Sequence, residues 1–214
     1  MHIISHRGFW QTTKEKNTIT AFNRSFAAGF GIETDLRDCL GDIVISHDMP
    51  LGGEMRFIEL LQLADNYAKD NKHLTLALNI KADGLVKKII AATSAYSNLD
   101  YFVFDMSIPD MRSYLDTTIP VFTRISEFEK NAAYEKQTSG VWLDSFEKEI
   151  WFSAKYLEEL LTYKRVCLVS PELHGYNHEL YWSFIKPFAH STNLILCTDL
   201  PDEASRFFGV PNAK

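Results

Sequence analysis

Short apolar runs alternate with amphipathic stretches along the whole chain, and this alternation constrains the fold more than any other feature. The runs 2–6, 31–36, 74–81, 101–105, 119–125, 140–144, 165–170 and 193–198 are short and rich in β-branched or aromatic residues. Most are bounded by polar or turn residues, so each reads as a strand. The stretches 17–29, 56–70, 83–96, 108–115, 126–137, 149–163, 177–189 and 201–207 read as helices. Asn17-Thr18 can cap the first, in which Ala21, Phe22, Ser25, Phe26 and Gly29 recur at helical spacing. Pro109 and Pro201 fall where a helix's first turn tolerates proline. A further run, 43–47, follows the second strand closely and reads as a hairpin. Eight β/α units are the number for a closed parallel barrel, so an α/β fold of the (β/α)8 TIM-barrel type is expected, as one domain over 1–214. At 214 residues the chain is short for that fold, which requires some short helices. An open doubly wound sheet would want a Gly-rich phosphate loop after the first strand, and Gly8 stands there without G-x-G-x-x-G.

Polar residues gather where these strands end. His6-Arg7-Gly8 follows the first strand, and Glu33 and Asp35 share one face of the second at i and i+2. His47-Asp48 ends the hairpin, and Lys81 closes the third strand. In a barrel all these groups point to the rim formed by the carboxyl ends of the strands. Two carboxylates on one face repel each other unless a positive charge lies between them, and a hard divalent cation such as Mg²⁺ or Ca²⁺ suits oxygen ligands. His6, Glu33, Asp35 and His47 are therefore expected to meet around a divalent metal ion. His6 and His47 can exchange protons near neutral pH. Arg7 offers a planar fork for a phosphate or carboxylate, or an ion pair with Glu33 or Asp35. His2, His73, His178 and His190 read as structural or exposed histidines, and His174 as a rim or turn residue.

The formal net charge of −6 and the lack of a basic stripe argue against nucleic acid as the partner. A metal ion and one Arg can still invert the sign locally for a phosphate-bearing small substrate. Cys39, Cys167 and Cys197 form no C-x-x-C pair and are odd in number, so neither a disulfide framework nor a zinc knuckle is suggested and a reducing compartment fits. The start, Met1-His2-Ile3-Ile4-Ser5-His6, has no signal-peptide character, and no apolar run approaches the roughly 20 residues that cross a bilayer. A cytoplasmic protein without stable membrane insertion is expected.

Four segments carry a family resemblance. Ile4-Ser5-His6-Arg7-Gly8, Asn17-Thr18-Ile19-Thr20-Ala21-Phe22, Gly31-Ile32-Glu33-Thr34-Asp35-Leu36 and Gly41-Asp42-Ile43-Val44-Ile45-Ser46-His47-Asp48 resemble the H-R-G, E-N-T-x-x-A-F, E-x-D and H-D pattern of the glycerophosphodiester phosphodiesterases. Cys197-Thr198-Asp199-Leu200-Pro201 is similar to that family's T-D-x-P at the eighth strand. The resemblance runs through the chain in order and is dense over about the first fifty residues.

It implies a metal-dependent phosphodiesterase acting on a glycerophosphodiester or similar small phosphodiester. His6 and His47 would be general acid and base, Glu33 and Asp35 metal ligands, and Arg7 and Lys81 phosphate-binding residues. The family usually has Glu as third metal ligand two residues before Lys81, where this chain has Asn79. Asn79 can give a carbonyl oxygen but removes a charge, so weaker metal binding is expected. Lys16 replaces the Glu of E-N-T, with Glu15 one place earlier. These departures motivate two alternatives: a barrel that binds a phosphorylated ligand without turnover, or a lyase releasing a cyclic phosphate. Phe9 and Trp10 are the aromatic candidates for the pocket rim. Phe104, Phe122, Trp142 and Phe146 read rather as core.

Overall fold

A computed structural model of the chain describes residues 1–68, 74–147 and 150–210. Strands β1 (His2–His6), β2 (Gly31–Cys39), β3 (Asp42–Ile45), β4 (Thr75–Ile80), β5 (Asp100–Phe104), β6 (Phe122–Ile125), β7 (Gly140–Leu143), β8 (Arg165–Val169) and β9 (Leu194–Thr198) form one sheet. All but β3 are parallel neighbours in the order β5-β4-β2-β1-β9-β8-β7-β6. The two ends of that order meet through a single bridge, Val103 to Val121, where the Val103 N–H donates to Pro120 O at 2.9 Å. The result is a nearly closed (β/α)8 barrel, as the alternation of elements predicts. The exception, β3, pairs antiparallel with the outer half of β2, from Leu36 with Ile45 to Cys39 with Asp42. It is the hairpin expected from residues 43–47.

Period-two alternation sorts the strand residues into two layers. Inward-facing Ile4, Ala77, Phe102, Phe104, Phe122, Trp142, Cys167, Val169, Ile195 and Cys197 fill the barrel. Phe102 stacks on Phe122 with ring centroids 3.7 Å apart, and Phe104 on Trp142 at 3.9 Å. Gly140 permits this packing, since a Cβ there would stand 2.3 Å from the Phe122 ring. Outward-facing residues such as Ile32, Leu36, Leu76 and Leu78 pack under the helices on one side, and Ile3, Val141, Val166 and Leu196 on the other. The helices are α1 (Ile19–Ala27), α2 (Phe57–Ala68), α3 (Val86–Thr93), α4 (Ile108–Leu115), α5 (Ala154–Tyr163), α6 (Glu179–Ile185) and α7 (Pro201–Phe208). Thr18 caps α1 by accepting from Ala21 N.

Several expectations are corrected. Residues 126–137 form no helix. Ser126 Oγ accepts from the N–H groups of Phe128 and Glu129, Thr123 Oγ1 donates to Ala133 O, and Tyr134 takes a left-handed φ of 52°. Side chains of the strand end and turn thus claim backbone groups that a helix would need. The stretch 177–189 shortens to α6 and then tightens into a 3₁₀ turn at Pro187. Likewise 83–96 shortens to α3. The end of the expected 56–70 helix, His73, and the start of 149–163 lie outside the described residues.

Candidate active site

The inward-facing row that fills the barrel continues upward as a polar layer. His6 stands two residues after Ile4, Asn79 after Ala77, Arg124 after Phe122, Asp144 after Trp142 and Asp199 after Cys197. Alternation therefore delivers each of them to the barrel mouth at the carboxyl ends of the strands. Glu33 and Asp35 join them from β2, where they are 2% and 0% exposed. Lys81, just past β4, anchors through its N–H to Leu36 O at 2.9 Å.

The turn His6-Arg7-Gly8 sets the geometry on the β1 side. Gly8 has φ +86°, and a Cβ there would meet Ala21 of α1 at 2.8 Å, so glycine is needed for the turn to lie against the helix. Arg7 itself takes a left-handed φ of 56°. That aims Arg7 Nε at Asp35 Oδ2, 3.1 Å away. The other Asp35 oxygen faces Lys81 Nζ at 3.4 Å, and Asn17 Nδ2 donates to Oδ2 at 2.8 Å. Thus Asp35, fully buried, is compensated by two cations and an amide.

Glu33 is not. Burial pushes its carboxyl up to about 8, and Asp35 beside it adds to this, while Arg7, Lys81 and the Asn79 side chain oppose it. Glu33 Oε2 and Asn79 Oδ1 are both buried acceptors without a hydrogen-bond donor. Buried acceptors of this kind need a donor or a cation. Two carboxylates and an amide oxygen suit a hard divalent ion, and the orphaned oxygens fit that group. Among the described residues no cluster of three or more His, Cys, Asp or Glu side chains has a metal-binding arrangement, so the donor set leans on Asn79.

His6 is held from the far end of the chain. Its Nδ1 lies 2.8 Å from Asp199 Oδ1, and its Nε2 faces Glu33 Oε2 at 3.9 Å. Burial lowers its pKa against the opposing pull of Asp199. Asp199 also accepts from Trp10 Nε1 at 3.3 Å and meets Lys16 Nζ at 3.7 Å, with Lys16 lying over the Trp10 ring. Burial acts to raise the Asp199 carboxyl, but His6 and Lys16 hold it below the usual range. Lys16 thus serves Asp199. Glu15, one place earlier, pairs with Arg24 at 2.8 Å and turns away from the mouth. Trp10 reaches the rim, whereas Phe9 packs edge-on against Phe30 in the outer core.

His47 is far more exposed than His6 and Glu33. It follows β3 on an exposed loop, its side chain is 45% exposed, and its Nδ1 pairs with neighbouring Asp48 Oδ1 at 2.9 Å. Among the described residues no hydrogen bond or ion pair joins it to His6, Glu33 or Asp35. It lines, with Arg7, Lys16 and Asn17, an open groove of about 1170 Å³ between the hairpin, the start of α1 and one side of α2.

The opposite half of the mouth carries groups that the strand-end motifs did not reveal. Arg124 NH1 donates to Asp105 Oδ1 at 2.8 Å, and the same guanidinium pairs with Glu129. His174 Nε2 lies 2.8 Å from Asp144 Oδ1. Glu172, in the same turn as His174, accepts from Thr198 Oγ1 and, at 3.1 Å, from Asp199 N. The inward phase of Phe122 and Trp142 is the sequence signal that locates Arg124 and Asp144.

No family model matches the sequence, and no curated protein does. Solved structures do. A glycerophosphoryl diester phosphodiesterase from Parabacteroides distasonis is 14% identical with a TM-score of 0.65, covering 97% of this chain and 86% of that one. A glycerophosphodiester phosphodiesterase from Agrobacterium tumefaciens is 14% identical with a TM-score of 0.60, covering 98% and 100%. A Ca²⁺-dependent phosphatidylinositol-specific phospholipase C from Streptomyces antibioticus is 10% identical with a TM-score of 0.53, covering 97% and 96%. The chain has the barrel fold that these phosphodiesterases share.

Proposed function

We propose that the chain is a metal-dependent phosphodiesterase that hydrolyses a glycerophosphodiester or similar small phosphodiester at the barrel mouth. The observation that carries this reading is the convergence of His6, held by Asp199, with Glu33, Asp35 and Asn79 and the cations Arg7 and Lys81. The names of the structural neighbours support the same reaction class.

Glu33, Asp35 and Asn79 would hold the divalent ion, Mg²⁺ or Ca²⁺. When bound, it withdraws charge from the non-bridging phosphate oxygens. Arg7 and Lys81 bind those oxygens and stabilise the charge that grows on them. Asp199 keeps a proton on His6 Nδ1, which leaves Nε2 to take the proton of the attacking hydroxyl. The leaving alkoxide needs a proton donor; the resemblance makes His6 and His47 the acid/base pair, and with His6 read as the base that role falls to His47. The partner is a small phosphodiester and not nucleic acid. The three free cysteines fit a reducing, cytoplasmic setting, and among the described residues no helix is long and apolar enough to cross a membrane.

A screen of small phosphodiesters with and without Mg²⁺ or Ca²⁺ tests the reading. Metal-stimulated turnover that His6→Ala abolishes while the fold is retained is expected. Absence of turnover with every substrate and metal, together with retained binding of a phosphorylated ligand, would establish the non-catalytic barrel instead. Phosphorus NMR of the product separates hydrolysis from release of a cyclic phosphate.

A further inference from the structure

The exposed apolar residues of this chain gather at one end of the barrel. Among the described residues, all the large ones except Ile90 and Tyr163 lie on segments that follow the carboxyl end of a strand, the end that forms the mouth. Ile19 follows β1, Met49 and Leu51 follow β3, Ile108 follows β5, Phe128 follows β6 and Leu180 follows β8. Leu40 tops the β2–β3 hairpin. We infer that this face of the barrel seats on a zwitterionic lipid surface and takes its phosphodiester from it. The substrate half rests on the phosphodiesterase reading, and the lipid surface is a partner beyond it.

Leu40 is the most telling of these residues. Strand β2 outlasts its parallel neighbours. Leu36 pairs with Ile80, the last residue of β4, and Arg37 to Cys39 continue with only β3 beside them. The hairpin closes through Leu40 and Gly41, with φ of 49° and 92°. A two-residue turn with both φ positive favours Asn or Asp before Gly, and a leucine in the left-handed region is strained. Leu40 is fully exposed, so no packing within the chain offsets that strain. Lys88 Nζ donates to Gly41 O at 2.5 Å and holds the tip. The loop after β3 is also set. Glu54 accepts from Leu51 N at 2.6 Å and from Gly52 N at 3.0 Å, and Leu51 stands fully exposed beside this tie.

These residues border the way into the site. The open groove lined by Arg7 and His47 also takes in Ile19, Leu40, Val44 and Leu63. Met49 and Leu51 lie on its edge, between the lining residues Asp48 and Gly52. At about 1170 Å³ the groove has room for a diester that carries an apolar chain.

A lipid surface fits this face better than a protein does. The apolar side chains stand on separate loops with polar residues between them, whereas a protein interface centres on one packed apolar core. Such side chains can enter a fluid boundary without a complementary partner. A protein seated here would cover the mouth, whereas a lipid surface would supply it with substrate. Charge selects the lipid. Asp42, Asp48 and Glu54 stand on the same hairpin and loop, and the chain carries a net −6, so no basic cluster draws it to anionic headgroups.

Co-sedimentation with phosphatidylcholine vesicles tests the inference. Wild-type protein should bind, with little change when salt is raised. Met49→Ser together with Leu51→Ser should weaken binding by about tenfold or more. Leu40→Asn should weaken binding while raising Tm, because Asn suits the turn; a residue kept for the hairpin's own stability would show the opposite shift in Tm. On free glycerophosphocholine the Met49/Leu51 double variant should keep wild-type turnover, and on lysophosphatidylcholine carried in the vesicles it should lose about tenfold in kcat/KM. No binding by the wild type, equal binding by the variants, or binding only to phosphatidylserine vesicles and lost in salt would overturn the inference. So would a self-associated wild type that these substitutions turn into a monomer, since a second copy would then cover the face. Vesicle binding needs no turnover. A protein that binds vesicles yet cleaves neither diester with any metal would overturn the phosphodiesterase reading and leave the lipid-seated face; one that cleaves glycerophosphocholine without binding vesicles would do the reverse.

Discussion

His6 Nδ1 and Asp199 Oδ1 lie 2.8 Å apart although 193 positions separate them in the chain. The contact exists because β1 and β9 are neighbours, with Ser5 beside Thr198 in register, so the turns after both strands meet. The pair fixes which His6 nitrogen is free to face Glu33.

Asp199→Asn should therefore act through His6. The amide cannot hold the same tautomer, and by analogy with other His–Asp pairs kcat should fall on the order of 10²- to 10⁴-fold with little change in KM. Steady-state kinetics beside an unchanged circular dichroism spectrum checks this. Wild-type kcat in the variant would show that Asp199 does not position the ring.

Restoring a third carboxylate should tighten the metal. Asn79→Glu replaces the orphaned amide oxygen with a charged ligand next to Glu33 and Asp35. Divalent affinity should rise roughly tenfold or more, since ligand charge count tunes such sites. Isothermal titration with Ca²⁺ and Mg²⁺ measures it. An unchanged or weaker affinity would place Asn79 outside the ligand set.

The His174–Asp144 pair has a stability signature of its own. His174 has its pKa raised above the ordinary 6.5, chiefly by the Asp144 hydrogen bond. The folded state then binds a proton more tightly than the unfolded chain. Its stabilisation is complete below about pH 6.5 and is lost as pH rises through the raised value. His174→Gln should cost about 1–2 kcal/mol at pH 5.5 and less at pH 9. Urea unfolding at both pH values is the measurement, and a loss that grows with pH would contradict the assignment.

Inside the barrel, Gly140→Ala should be costly. The added methyl meets the Phe122 ring, itself stacked on Phe102 near the thin seam between β5 and β6. Overpacking of this kind costs about 1–3 kcal/mol. Thermal unfolding should show a clear drop in Tm. An unaffected Tm would mean that the aromatic layer yields.

The alternation of strands and helices was legible in the sequence because the two periods, 2 and about 3.6, are local properties of the chain. So were the residues of the β1–β2 half of the site, since His6, Arg7, Glu33 and Asp35 lie near one another in sequence and at strand ends. The family resemblance marked Asn79 as a departure. The local pattern misled at residues 126–137, where hydrogen bonds from Thr123 and Ser126 outbid helical periodicity. The loop after the hairpin exposes His47, which lines a groove together with Arg7, the neighbour of His6.

What the tertiary structure decided is which distant residues share the mouth. Asp199 reaches His6, and Asp144 reaches His174, only because a barrel brings the strand ends round into a ring. Burial is likewise a property of the assembled ring. The removal of water raises Glu33 and leaves Asn79 Oδ1 without a donor. No sequence spacing encodes that desolvation, because it depends on what the other seven strands place above and around those atoms.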